Sequence, residues 1–426
     1  QIKLNGELYT PQVAYEKVDD ATAKYTLKVS ELNAVITMTL KAEDSNFKLE
    51  VTEIKEDGAD DKRIFTFDMP DNIMLSMTNK EAGASFAGSK METDISKTGD
   101  VYYDLAYNKS VDSNPDTSYL YAFLSNEKAS AGFWGNAMDA KIRKQTTKLG
   151  DTYTTALWSG EWRYRADDYT KTFQDTEGDY GPAGEVVTRT YKATYTEDLP
   201  KVYISFAAGD LNDSGSVDWQ DGAIAFREIM PTAIGMEKIP DAVVQRLVFP
   251  QSGEGNYPYI SSLDETKRVY LATDGLGQLI LNKYHNEGTW GDLGVYDEFL
   301  GGQEDFNKYV SDSVQMYNSW VGVHTNFTEI YAKARAFRPE KIMMQEDGIT
   351  PVGYGFAAYS HWLQQVYSPD ITFDAISLER QGDLKAFAEA VPDLGFVYSD
   401  VFSGGGWKGR RLAEDYEAAG LAYFVE

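Results

Sequence analysis

No cysteine occurs among the 426 residues, which excludes disulfides, thiol chemistry, cysteine-ligated zinc and iron–sulfur clusters. Histidine is nearly as scarce. His285, His324 and His361 are the whole complement, and none stands in the i, i+4 pairing that sets two zinc ligands on one helix face. Positive charge is also short: 40 Lys and Arg against 67 Asp and Glu leave a formal net charge of -27. No basic run is long enough to meet a phosphate backbone or an anionic membrane surface, so no nucleic-acid partner is expected. Nowhere do about 18 apolar residues follow one another, so no helical membrane-spanning segment is expected. The opening QIKLNGELYT lacks the basic-then-apolar order of a signal peptide.

What is present is apolar and aromatic. With 42% hydrophobic residues the chain can build two or three domains at about 100 to 200 residues each. Its 29 Tyr and 8 Trp suit either aromatic-rich sheet or surfaces that stack on sugars. Up to about residue 207 the pattern alternates with period two in KYTLKV, AVITMTL, FKLEVTEI and RIFTFDM, with turn clusters EDSN and EDGADD between. This predicts an antiparallel β-sandwich over 1–207, a scaffold without short catalytic motifs.

After residue 207 the period changes. VVQRLVF, GQLILNKY, WVGVHTN, LGFVYSD and LAYFVE read as strands, and DFNKYVSDSVQMYN and GDLKAFAEAV as helices between them. Strand then helix in alternation predicts a parallel sheet over 208–426, closed into a (β/α)8 barrel or left open. Polar residues gather where these strands end: Asn286 and Glu287, His324 and Asn326, Asp400, and Glu426. A (β/α)8 barrel builds its active site at that end. Five strands fall short of eight, so the sequence reads as the first part of a barrel. ATDGLGQ contains a G-x-G, but a strand follows it, so Gly275 and Gly277 read as a turn rather than a phosphate cradle.

DLNDSGSVDWQD, residues 210 to 221, spaces oxygen-bearing side chains like a calcium loop of EF-hand type. Asp210, Asn212, Ser214, Ser216, Asp218 and Asp221 are the candidate ligands, around Gly215. A polar turn explains the same residues, with Asp218 capping a helix whose Trp219, Ala223, Phe226 and Met230 face inward. The two readings are compatible, and a docking or adhesion role for such a loop is a further alternative.

The segments GDLNDSGSVDWQDGAIAFR, LDETKRVYLATDGLGQLILNKYHNEG, GVHTNFTE, HWLQQ, LGFVYSDVF and AYFVE together resemble glycoside hydrolase family 101, the endo-α-N-acetylgalactosaminidases. The resemblance covers about residues 209 to 426 and implies a (β/α)8 catalytic domain after a galactose-mutarotase-like β-sandwich. It also implies a secreted or surface-anchored bacterial enzyme that releases Galβ1,3GalNAc from Ser or Thr of mucin-type glycoproteins with retention of configuration. On the family's pattern Asp400 matches the nucleophile, Glu426 the general acid/base, Trp362 an aromatic wall of the sugar site and His324 a polar contact to the glycan. Two departures fall in glycan recognition. Ser360 stands where the family has a second tryptophan, and the loop after Gly288 lacks the expected His-Asp pair, for which Asp292 is the candidate substitute.

Independently of the resemblance, two carboxylates at the ends of neighbouring parallel strands suit retaining hydrolysis. That reaction needs one ionised and one protonated carboxyl about 5 to 5.5 Å apart, and adjacent strands lie about 4.8 Å apart. Asp400 among polar donors suits the ionised role. Glu426, after Tyr423, Phe424 and Val425, suits the protonated one. Residue by residue, either acid also reads as a strand end, His324 as a buried core histidine, and Trp362 as rim packing. A catalytically silent carbohydrate-binding protein on the same fold is the alternative to the enzyme.

Overall fold

The computed structural model describes residues 1–70, 72–90, 99–137, 142–176, 182–248, 257–284, 291–353, 355–359, 362–402 and 404–425. The chain divides into two compact units, one of Gln1–Asp167 with Tyr195–Pro231 and one of Asp168–Thr194 with Thr232–Glu426.

The first unit is antiparallel throughout. Strands Gln12–Lys17, Thr22–Val29, Ala34–Glu43, Asn46–Lys55, Lys201–Ala208, Ala129–Gly135 and Asp116–Ser125 are hydrogen-bonded in that order. Ile142–Leu149, Thr152–Ser159 and Leu75–Thr78 continue the sheet. In Ala34–Glu43 the buried residues Ala34, Ile36 and Met38 alternate with more exposed ones, as a one-sided strand requires. A four-stranded sheet of Trp162–Arg163, Thr66–Asp68, Ile2–Leu4 and Glu7–Tyr9 shares one core with the large sheet. Leu4, Phe67 and Trp162 pack there with Ile36, Phe86 and Phe133. Trp162 donates from Nε1 to Asn136 Oδ1 at 2.8 Å, so its polar atom is satisfied inside the sandwich.

A helix, Trp219–Phe226, covers part of the large sheet, where Phe226 and Ile229 meet Ala87 and Phe123. Gly132 makes this approach possible, because a Cβ there would stand 2.8 Å from the Phe226 ring. Asp218 does cap this helix, in a reciprocal box with Asp221. The inward stripe expected of it is only half right: Phe226 is buried, but Trp219 and Met230 are 38% and 37% exposed.

The second unit is built on five parallel strands: β1 (Val244–Val248), β2 (Gln278–Asn282), β3 (Ser319–Asn326), β4 (Phe396–Asp400) and β5 (Ala422–Val425), adjacent in chain order. Helices α1 (Tyr259–Ala272), α2 (Gly302–Tyr317), α3 (Ile371–Ser377), α4 (Glu379–Ala390) and α5 (Gly406–Ala418) lie between them in the chain. One face of the sheet packs on helices: Ile280, Val321, Val323 and Val397 meet Phe306, Tyr309, Val310, Leu384, Phe387 and Leu412. Each such side chain contributes about 1.5–3 kcal/mol when fully buried. The other face is apolar lower down, where Trp320, Phe396, Ala422, Leu279, Leu281 and Phe424 cluster. Gly322 is required there, since a Cβ would lie 2.3 Å from the Phe396 ring. Parallel strands added in chain order are how a (β/α) barrel begins.

Two features have no counterpart in the sequence reading. A three-stranded antiparallel sheet, Ile330–Tyr331, Trp362–Tyr367 and Gly355–Tyr359, is inserted between β3 and β4. The second unit also includes a hairpin, Tyr169–Thr176 with Pro182–Tyr191, taken from within the β-rich half of the chain. Lys171 anchors it. Its Nζ donates to the Glu340 carbonyl at 2.7 Å and to the Ile342 carbonyl, and pairs with Asp370 Oδ2 at 2.9 Å. Burial holds this ammonium below the usual lysine range, against the opposing pull of Asp370. Tyr169 donates its hydroxyl to the same Asp370 oxygen at 2.7 Å, while the other Asp370 oxygen caps α3 through the Thr372 and Phe373 N–H groups.

Candidate active site

The parallel register selects which side chains meet. Gly322, His324 and Asn326 of β3 stand beside Phe396, Tyr398 and Asp400 of β4. Residues paired this way project from the same face. The face that is apolar around Trp320 and Phe396 therefore becomes polar at the carboxyl end of the strands.

His324 Nε2 lies 3.4 Å from Asp400 Oδ2, with the histidine nearly buried and the Asp400 side chain 31% exposed. The imidazole is stacked on Tyr398 at 5.5 Å between ring centroids, which fixes its plane. Asn326 organises the turn that follows. Its Oδ1 accepts the Thr328 N–H at 2.7 Å, the Thr328 hydroxyl at 2.8 Å and the Glu329 N–H at 3.1 Å. That turn brings Glu329 within the field of Asp400. Burial raises the Glu329 pKa above the usual glutamate value, and the Asp400 charge raises it further. From the other side comes Lys283, directly after β2. Burial pushes its ammonium down to about 8, and the Asp400 charge opposes that shift.

A half-exposed carboxylate is thus flanked by an imidazole, a sheltered amine and a half-buried carboxyl. Nucleophilic attack on a neutral electrophile suits such an environment: the carboxylate is open to solvent on one side and fixed by polar neighbours on the other. Immediately after Asp400, Val401 adopts φ 44, the left-handed region that a β-branched residue seldom enters. The backbone is strained at the point where the candidate nucleophile is presented.

The other sequence-expected residues separate. Asp292 is buried, and its two oxygens accept the backbone N–H groups of Arg335 at 2.8 Å and Ala336 at 2.7 Å. It staples a loop beside a cavity of about 670 Å³ whose lining includes Tyr296, Arg335, Arg338, Lys341 and Glu379 but none of His324, Lys283 and Asp400. Trp362 opens the strand Trp362–Tyr367 opposite Tyr359; its side chain is outside the described part of the structure. Asn286, Glu287, His285, Ser360, His361 and Glu426 lie outside the described residues.

In the first unit, Asp210 accepts backbone N–H groups from Asn212, Ser214 and Gly215. The Gly215 bond is the largest cause holding its carboxyl below the usual aspartate value. Asp221 accepts from Leu211 at 2.6 Å and Asp218 at 2.8 Å. Asn212 donates to Gln220 and Ser214 to the Ser216 carbonyl. The loop is closed by its own hydrogen bonds. Among the described residues no three histidine or acidic side chains form a group that could hold a metal ion; the ligand set expected at 210–221 draws also on the Asn212 amide and the Ser214 and Ser216 hydroxyls.

Lys283, Glu329 and Tyr398 were not singled out from the sequence. Counting alternate residues would have found two of them, since Lys283 is two beyond Leu281 and Tyr398 two before Asp400. The tight turn that brings Glu329 in had no such signal.

A parallel sheet in chain order, polar at its carboxyl end around a carboxylate, is the arrangement in which α/β enzymes of barrel type place their active sites. Residues 220–426 match the family model described as endo-alpha-N-acetylgalactosaminidase, and residues 1–219 match the galactose mutarotase-like fold domain. Residues 220–426 thus form a domain of the endo-alpha-N-acetylgalactosaminidase family. It is 30% identical over its whole length to a protein of Renibacterium salmoninarum provisionally named endo-alpha-N-acetylgalactosaminidase, of which it spans 27%. Among solved structures it is similar in fold to the family 36 alpha-galactosidase AgaA of Geobacillus stearothermophilus in complex with 1-deoxygalactonojirimycin. That likeness has a TM-score of 0.52 at 9% identity, over 100% of this chain and 61% of that one. The same enzyme in complex with stachyose gives the same figures.

Proposed function

We propose that this chain forms the sandwich and the first part of the barrel of a retaining glycoside hydrolase acting on α-linked GalNAc glycans. Its substrate is Galβ1,3GalNAc, or a related glycan, on Ser or Thr of mucin-type glycoproteins. The observation that carries the reading is Asp400 at the carboxyl end of β4, held 3.4 Å from His324 in a polar patch on an otherwise apolar face. In this scheme the Asp400 carboxylate attacks the anomeric carbon as the bond to the Ser or Thr oxygen breaks, and Glu426 protonates that oxygen. Glu426 then deprotonates water, which attacks the same carbon and releases Asp400, with net consumption of one water. Pairing of β4 with β5 runs through Ser399 and Val425, and the scheme requires it to bring the two acids within the roughly 5–5.5 Å typical of retention.

Three further parts belong to the proposal: closure of the sheet into a (β/α)8 barrel within the longer protein, secretion or surface display, and calcium at residues 210–221. The alternative is a silent sugar-binding protein. Incubating the intact protein with a slow fluoro-sugar of GalNAc type and mapping peptides by mass spectrometry separates the two. A glycosyl adduct on Asp400 supports the enzyme; tight sugar binding with neither adduct nor product supports the silent protein.

A further inference from the structure

Arg380, near the start of α4, is a buried arginine that leaves most of its donors unused. Its Nε donates to Asp415 Oδ2 of α5 at 2.8 Å, while Nη1 and Nη2 are buried and have no hydrogen-bond partner. The residue is only 4% exposed, so bulk water does not complete these groups. Phe327 covers the guanidinium face, its ring centroid 5.8 Å from Cζ. What remains is the outer edge with its two nitrogens, the fork that meets anions.

Arg380 and Phe327 line a cavity of about 40 Å³ together with Glu329, Lys341, Asp374 and Asp383, all within the second unit. One water takes about 10–15 Å³ of such space, so the cavity has room for a small ion and a water beside it, but not for a sugar ring.

Charge selects between water and an ion. Lys341 pairs with Glu379 at 3.0 Å, but Glu379 also takes Arg338. Asp415 likewise serves Arg411, at 3.1 Å, as well as Arg380. Neither cation on the cavity wall has a carboxylate to itself. The acids on the same wall compensate them poorly, because burial is the largest cause raising the pKa of Glu329, of Asp374 and of Asp383, a shift that disfavours the charged form. Water would fill the donors of Arg380 without offsetting charge. A small anion does both.

We propose that this cavity is a binding site for one small monovalent anion, a halide or a carboxylate the size of formate, held by Nη1 and Nη2 of Arg380 with the Lys341 ammonium beside it. Anion binding here is independent of the proposed reaction.

The intact protein is melted in chloride, bromide, formate and gluconate salts at equal ionic strength, and crystals soaked in bromide are examined for anomalous scattering. Chloride or bromide at 100 mM should raise the melting temperature of the second unit by about 2–5 °C over gluconate, which is too large for the cavity. Protection by formate and not by halides identifies the ligand as a carboxylate; the reverse identifies a halide. Bromide should scatter within hydrogen-bond distance of both Arg380 Nη atoms. Arg380→Gln should lose the salt response. If that protein does not fold, two milder variants decide: Lys341→Met should need on the order of 10-fold more halide or formate for the same shift, and Glu329→Gln, which removes a like charge from the wall, should need less. Melting temperatures equal in all four salts, with no anomalous peak at Arg380, overturn the proposal. So does a bromide peak with no salt-specific change in melting temperature in any of the proteins, which means an adventitious ion only.

Discussion

His324 and Asp400 stand on adjacent parallel strands with Nε2 and Oδ2 3.4 Å apart, one register step out of line, so the imidazole of β3 reaches up toward the carboxylate that ends β4. The contact positions Asp400 from the β3 side.

Removing that contact should loosen the proposed nucleophile without unfolding the unit. His324→Asn is expected to lower kcat/KM by roughly 10²-fold, the usual scale for a misplaced reacting group. Asp400→Asn should abolish turnover while both proteins keep the wild-type far-ultraviolet circular dichroism. Steady-state assay on an aryl α-GalNAc substrate is the check, and equal activity of His324→Asn and wild type would refute a role for the contact.

Glu329 gives a pH dependence of known sign. Its folded pKa is raised above the ordinary glutamate value by burial and by Asp400, so the folded state binds its proton more tightly than the unfolded chain does. Its contribution to stability is full below the unfolded value and is lost as pH rises through the folded one. Glu329→Gln should therefore melt roughly 1–2 °C higher than wild type at pH 7, a small effect for a half-buried group. The difference should vanish near pH 4, as thermal scans at the two pH values will report.

Lys171 and Asp370 are both nearly fully buried. Deleting one partner leaves an unpaired buried charge, which costs about 3–5 kcal/mol. Lys171→Ala should destabilise the second unit by that amount in urea titrations, and Asp370→Ala by more, because it also strips the cap of α3. A loss under 1 kcal/mol for either would mean that water reaches the pair.

Val401→Gly should relieve the left-handed penalty of about 1–2 kcal/mol for a non-glycine residue, less about 0.5–1 kcal/mol of added chain entropy. The expected result is a protein equal or slightly superior in thermal stability but slower in kcat, as Asp400 gains freedom. A variant that is both less stable and equally active would count against strain at this position.

If the 210–221 loop takes calcium, millimolar Ca²⁺ should raise the melting temperature of the first unit by mass action, and chelation should reverse it. Asp210→Ala should abolish the response. Asp221→Ala should destabilise even without calcium, by about 1–2 kcal/mol, since it removes the helix-capping box and the acceptor for Leu211. A melting temperature indifferent to calcium leaves the loop a hydrogen-bonded turn.

The strands of the second unit were legible because each is a short apolar run between turn signals, and Asp400 because it interrupts one of those runs. Helix α1 was not, since the residues it buries are Tyr259, Ser262 and Thr266: a face closed by hydroxyl groups has no apolar stripe. Helix α5 hid for a related reason. Its inner face carries Arg411 and Asp415 beside Trp407, Leu412 and Tyr416, and Asp415 is satisfied by Arg380 at 2.8 Å, a partner 35 residues earlier that periodicity does not see. Asp292 looked available as a polar loop residue, but its oxygens had already found two backbone N–H groups. Period-two alternation identified the hairpin of Lys171 as strands correctly but carried no information about which unit it serves.

That hairpin sets an order of events during synthesis. Tyr169 and Lys171 precede Asp370 by 201 and 199 residues, so at about 5–20 residues per second they leave the ribosome on the order of 10–40 seconds before their partner exists. Until then the nascent chain must keep an orphan lysine in water, and docking around Asp370 reaches back to a segment made 199 residues earlier.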